Sequence, residues 1–130
     1  MQGLIGPLKE LAEFEELCKN KKKDAGMIRV CGCVNSQKSH MMYAIGDGCK
    51  YKVIACSSET KAKQIYEEYR FLDNNTYLYP AKDFLFYKAD IRSKELVKQR
   101  MEGIQAVLSG TPVTIVTSLG GFMDHLAPKE

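Results

Sequence analysis

Residues 51–79, YKVIACSSETKAKQIYEEYRFLDNNTYLY, decide the fold class. Tyr51 to Cys56 is a short, largely apolar run with β-branched members, which reads as a strand. Ser57 and Ser58 follow it, and a serine oxygen is a good acceptor for a free N–H in the first turn of a helix. Ala62, Ile65, Tyr66, Tyr69 and Leu72 then recur at intervals of three, one, three and three residues, which gathers them on one helical face. Asn74 and Asn75 make a turn, and Thr76 to Tyr79 a second short strand. Strands alternating with helices have a parallel sheet with helical crossovers as their standard solution.

Towards the C-terminus, residues 80–90 carry no sustained period and read as a loop. A helix opens at Ser93, with Glu95 near its start and Val97, Met101, Ile104 and Leu108 as its expected buried stripe, and Gly110 and Pro112 close it. Val113 to Thr117 is a further strand, followed by Gly120 and Gly121. Towards the N-terminus, Leu4, Leu8, Leu11 and Leu17 or Cys18 predict one amphipathic helix over residues 4–19, then a linker over 21–26. Residues 27–32 are mostly apolar and predict a strand, and residues 36–45 a helix ended by Gly46 and Gly48. Four strands alternating with helices predict an α/β fold, a parallel sheet flanked by helices with right-handed crossovers. In such sheets ligands sit beyond the carboxyl ends of the strands, so the segments after Cys31, Cys56, Tyr79 and Thr117 are where a site is sought.

The bulk properties agree with one globular domain: 130 residues, 45% hydrophobic and 27% charged, long enough to bury a core without metal or disulfide staples. A formal charge of +3 is too small to imply a nucleic-acid groove unless basic residues cluster. The run Lys19, Lys21, Lys22 and Lys23 reads as a solvated helix end favoured by the macrodipole. Five cysteines with no CxxC pair suggest neither a disulfide framework nor a zinc ribbon, and reduced thiols point to the cytoplasm. Cys31 and Cys33, two apart in an expected strand, read as small core residues on one face. Glu10, Glu13, Glu15 and Glu16 exclude a signal peptide at the start, and no apolar window reaches the length of a membrane span.

One motif carries chemistry. Gly32, Cys33, Val34, Asn35, Ser36, Gln37, Lys38, Ser39 overlays the phosphate-loop template G-x-x-x-x-G-K-[ST] except that Gln37 stands where the second glycine belongs. Such loops bind phosphate through converging backbone N–H groups, a lysine charge and a hydroxyl on magnesium. Gly32, Lys38 and Ser39 are therefore the candidate cofactor-binding residues. Glycine lets phosphate approach without meeting a Cβ, whereas Gln37 brings a long side chain, so the cradle reads as degenerate. No Asp-bearing strand end offers a second magnesium contact, since Asp83 and Asp90 fall in the loop. Neither His40 nor His125 has a nucleophile partner in the pattern, so no catalytic residue and no metal ligand is assigned.

Tyr79, Pro80, Ala81, Lys82, Asp83, Phe84, Leu85, Phe86, Tyr87, then Asp90 and Ile91, a helix containing Gln99 and Arg100, and the strand Thr114 to Ser118, together resemble the amino-terminal region of bacterial transcription-repair coupling factors, the Mfd family. That region is similar to the first domain of the excision-repair helicase UvrB, and the likeness runs from about Gly26 onward. It implies a P-loop, RecA-like fold of the UvrB domain 1a kind over residues 26–130, preceded by an N-terminal helix and linker over 1–25. In UvrB the phosphate loop is an ATP site. In coupling factors it looks decayed, and Gln37, with Asn35 at another position usually glycine, agrees with that. Retained Lys38 and Ser39 are the departure from the decayed pattern.

The resemblance further implies that this stretch is a fragment of a longer ATP-dependent DNA translocase that displaces stalled RNA polymerase and recruits UvrA. The ATP and magnesium of that parent belong to a motor beyond this chain, and no cofactor is expected here. Its partners are the parent's other domains and, through the parent, UvrA, RNA polymerase and double-stranded DNA, with no membrane. Two rival readings stand beside it. One is an active nucleotide-binding domain using Lys38 and Ser39. The other is a nucleic-acid-binding module, with Lys88, Arg92, Lys94, Lys98 and Arg100 on phosphates and Tyr77, Tyr79 and Tyr87 as stacking surfaces. The apolar load of Phe84, Leu85, Phe86 and Tyr87 predicts either folding back onto the sheet or a homodimer of the isolated fragment.

Overall fold

A computed structural model describes residues 5–22, 27–82 and 90–124, in two compact units that divide between Asp47 and Gly48. The first unit is helical. Helix α1 spans Gly6–Lys9, α2 spans Ala12–Lys22 and α3 spans Asn35–Ile45. Ile5, Phe14 and Ala44 are its buried centre, with Leu8, Cys18, Met41, Tyr43 and Ile45 packed around them. The single helix expected over 4–19 is interrupted at Glu10 and Leu11. At 100° per residue, Ile5 and Phe14 would face opposite sides of one straight helix, so the interruption is what brings both into the same core. Helix α2 continues through Lys22, into the expected linker, and residues 23–26 lie outside the described residues.

Residues 27–34 form neither helix nor strand, which corrects the strand expected over 27–32. Met27 is 92% exposed, and Ile28, Val30 and Cys31 are also exposed, so Cys31 and Cys33 are not paired core residues of one strand face. A strand needs a ladder partner for its N–H and C=O groups, and the described residues of this unit offer helices only.

The second unit is α/β. Strand β1 is Tyr51–Cys56, helix α4 Glu59–Arg70, strand β2 Thr76–Tyr79, helix α5 Asp90–Leu108, strand β3 Val113–Ser118 and helix α6 Leu119–Met123. The sheet has three strands rather than the expected four, all parallel, in the order β1-β3-β2. The chain crosses from β1 to β2 through α4, then returns through α5 to place β3 between them. The register pairs Val53 with Ile115 and Tyr77 with Ile115, so odd-numbered residues of all three strands share one face and even-numbered residues the other.

Helix α4 covers the even face with Ala62, Ile65 and Tyr69, all buried. Lys52 on that face reaches Asp73 at 2.8 Å, and Asp73 also accepts from the Thr114 hydroxyl at 2.9 Å. Helix α5 covers β2 and β3 on the odd face, where Gly103 lies against Tyr79, Ile115 and Tyr77. Of the stripe expected to be buried on α5, Val97, Met101 and Leu108 are exposed and Ile104 is half-buried, while Arg100 and Gly103 are the residues turned to the sheet and buried. Arg100 is buried because its charge is paired and its plane stacks on Tyr79. Residues 83–89, the centre of the expected loop, lie outside the described residues. Among the described residues no helix is long and apolar enough to cross a membrane.

Candidate functional site

The phosphate-loop stretch belongs to the first unit. Gly32 has φ of +85°, a conformation glycine adopts freely, and opens the turn into α3. Val34 is the N-cap, and its N–H donates to Gln37 Oε1 at 3.3 Å. The side chain that replaces the template glycine thus folds back over the start of the helix, where a phosphate oxygen would otherwise be received. Lys38 is exposed and its Nζ donates to Asn35 Oδ1 at 3.3 Å, within the same turn. Ser39, by contrast, is buried, only 3% exposed. A nucleotide cradle requires the ammonium and the hydroxyl to converge on one anion. Here one is in solvent and the other in the packed interior, so these residues do not fit a magnesium-nucleotide group. Among the described residues no three His, Cys, Asp or Glu side chains are grouped to hold a metal ion.

The second place is the carboxyl end of the parallel strands, where residues 79–82 leave β2. Four consecutive residues there have a backbone group held by a side chain from a different element. Thr117 Oγ1 in β3 donates to Tyr79 O at 2.7 Å, and Arg100 NH1 in α5 donates to Pro80 O at 2.6 Å. The Ala81 N–H donates to Glu59 Oε1 in α4 at 3.1 Å, and the Lys82 N–H to Asp124 Oδ2, just past α6, at 2.9 Å. Arg100 NH1 also meets Asp124 Oδ2 at 2.7 Å, with both side chains nearly buried, and its guanidinium lies 4.2 Å from the centre of the Tyr79 ring. The Ser118 hydroxyl bridges the cluster, donating to Glu59 and accepting the Gly121 N–H at 3.0 Å.

The electrostatics follow from this wiring. The Lys82 N–H, with the Arg100 hydrogen bond and charge, holds the Asp124 carboxyl below its ordinary value against the opposing effect of desolvation. Burial pushes the Cys56 thiol up, and the Lys61 charge only partly offsets it, so Cys56 at the end of β1 is a protonated thiol at neutral pH. Ser118 and Glu59 are committed to main-chain partners. The arrangement fixes the path of the chain as it leaves the sheet.

The rival nucleic-acid reading drew on Arg100 and Tyr79, and neither offers a surface for it. Each is buried, and they stack on one another. Of the remaining basic residues, Lys94 and Lys98 are exposed, with Lys98 3.9 Å from Glu102. Lys88 and Tyr87 lie outside the described residues, as does His125. Glu59, Asp124 and Gly121 carried no expectation. The signal that marks them is the Gly120-Gly121 pair, since an interior glycine often records a close approach of another segment. Comparison with family models, with curated proteins and with solved structures returns no match to this chain.

Proposed function

We propose that the chain is a non-catalytic, UvrB-like α/β module of a transcription-repair coupling factor, a scaffold on which the parent's other domains are mounted. The observation that carries this reading is the ordered run of Pro80, Asp83 and Tyr87, the helix with Gln99 and Arg100, and the strand Thr114 to Ser118. The geometry supports it in two ways. Part of that stretch, Tyr79 to Lys82 with Arg100 and Thr117, is wired together at the carboxyl end of the sheet. Gln37 over the helix start and Ser39 packed away agree, in this reading, with a phosphate loop that no longer serves nucleotide chemistry. In this reading ATP and magnesium serve a motor beyond these residues, and UvrA, RNA polymerase and double-stranded DNA are met through the parent.

The rival is an active nucleotide site at Gly32, Lys38 and Ser39. Titration calorimetry of the chain with magnesium-ATP separates the two. The proposal expects no saturable heat at affinities tighter than about 0.1 mM, roughly 5.5 kcal/mol of binding free energy. Tighter binding that vanishes in Lys38→Ala overturns it. In the longer parent the same substitution is expected to leave ATP hydrolysis at its original rate, and a lost hydrolysis rate would return the nucleotide site to this unit.

A further inference from the structure

We draw no further inference here: the strongest candidate, the open apolar face that Val53, Ile104, Val107, Leu108 and Phe122 form on the α5 side of the sheet, carries nothing because nothing in the structure shows what covers it.

Discussion

Arg100 and Gly121 do the most at the scale of single residues. Arg100 donates to Pro80 O and to Asp124 while lying over Tyr79, so its removal strands a nearly buried carboxylate and a carbonyl together. Breaking one half of a buried pair costs about 3–5 kcal/mol, and Arg100→Ala is expected near the lower end because Asp124 keeps the Lys82 N–H. Chemical denaturation checks it, and a loss below about 1 kcal/mol would mean that the guanidinium contributes nothing beyond a surface pair. Gly121 is a steric requirement. A Cβ there would lie 3.0 Å from the backbone atoms Ala81 N and Tyr79 O, and closer still to Thr117 Oγ1. Gly121→Ala therefore forces α6 away from the carboxyl ends of β2 and β3, for a loss of about 1–3 kcal/mol. Gly103 is the control. Its added methyl would meet Tyr79 Cδ2 at 3.6 Å and Ile115 Cδ1 at 3.7 Å, ordinary packing distances. With alanine's better helix propensity, worth about 1 kcal/mol, Gly103→Ala is expected to be neutral or stabilising. Equal losses at the two glycines would refute the assignment of close approach to Gly121 alone.

Among the elements, those with local signals were legible in the sequence. Strand β2 falls at its expected bounds, and α4 is capped where Ser58 predicts, with Ser58 Oγ accepting the Lys61 N–H at 3.2 Å. Ser58→Ala should cost about 1 kcal/mol and lower the melting temperature by about 4–8 °C, read by circular dichroism. An unchanged melting temperature would show that the cap adds nothing. Two elements misled for one reason: periodicity reports which residues are apolar, not what stands opposite them. Met27, Ile28 and Val30 have the composition of a strand, but a strand exists only where a second one accepts its hydrogen bonds. Helix α5 has an apolar stripe, yet turns Arg100 and Gly103 to the sheet because Tyr79, Asp124 and Pro80 O stand there. The cluster at the carboxyl ends was illegible on the same grounds. Glu59 bonds a residue 22 positions away and Asp124 one 42 positions away, separations at which no sequence pattern survives.

For the α/β unit as a whole, stability is tied to pH at both ends of its sheet. Asp73, near the amino ends of β2 and β3, is pushed up by desolvation, but hydrogen bonds from Lys52, Thr114 and the Asn75 N–H, with the Lys52 charge, outweigh that and hold it below its ordinary value. Asp124 at the carboxyl ends is also held low. A carboxyl whose folded value lies below its unfolded one stabilises the fold above the unfolded value, about 3.9, and loses that contribution as pH falls towards the folded value. Cys56 has the opposite sign. Its raised value adds stability below the unfolded thiol value, about 8.5, which is lost as pH climbs through the folded one. Melting temperature against pH should therefore form a plateau from about pH 5 to pH 8, falling on both sides. Asp73→Asn is expected to lower the unfolding free energy on the plateau by about 2 kcal/mol, by replacing a charged acceptor with a neutral one beside Lys52, and to make the acid limb shallower. Cys56→Ala should flatten the alkaline limb and leave the acid limb alone. An acid limb of unchanged slope in Asp73→Asn would place the acid sensitivity in other carboxylates, and the Lys52, Asp73 and Thr114 group would then hold the sheet by packing alone.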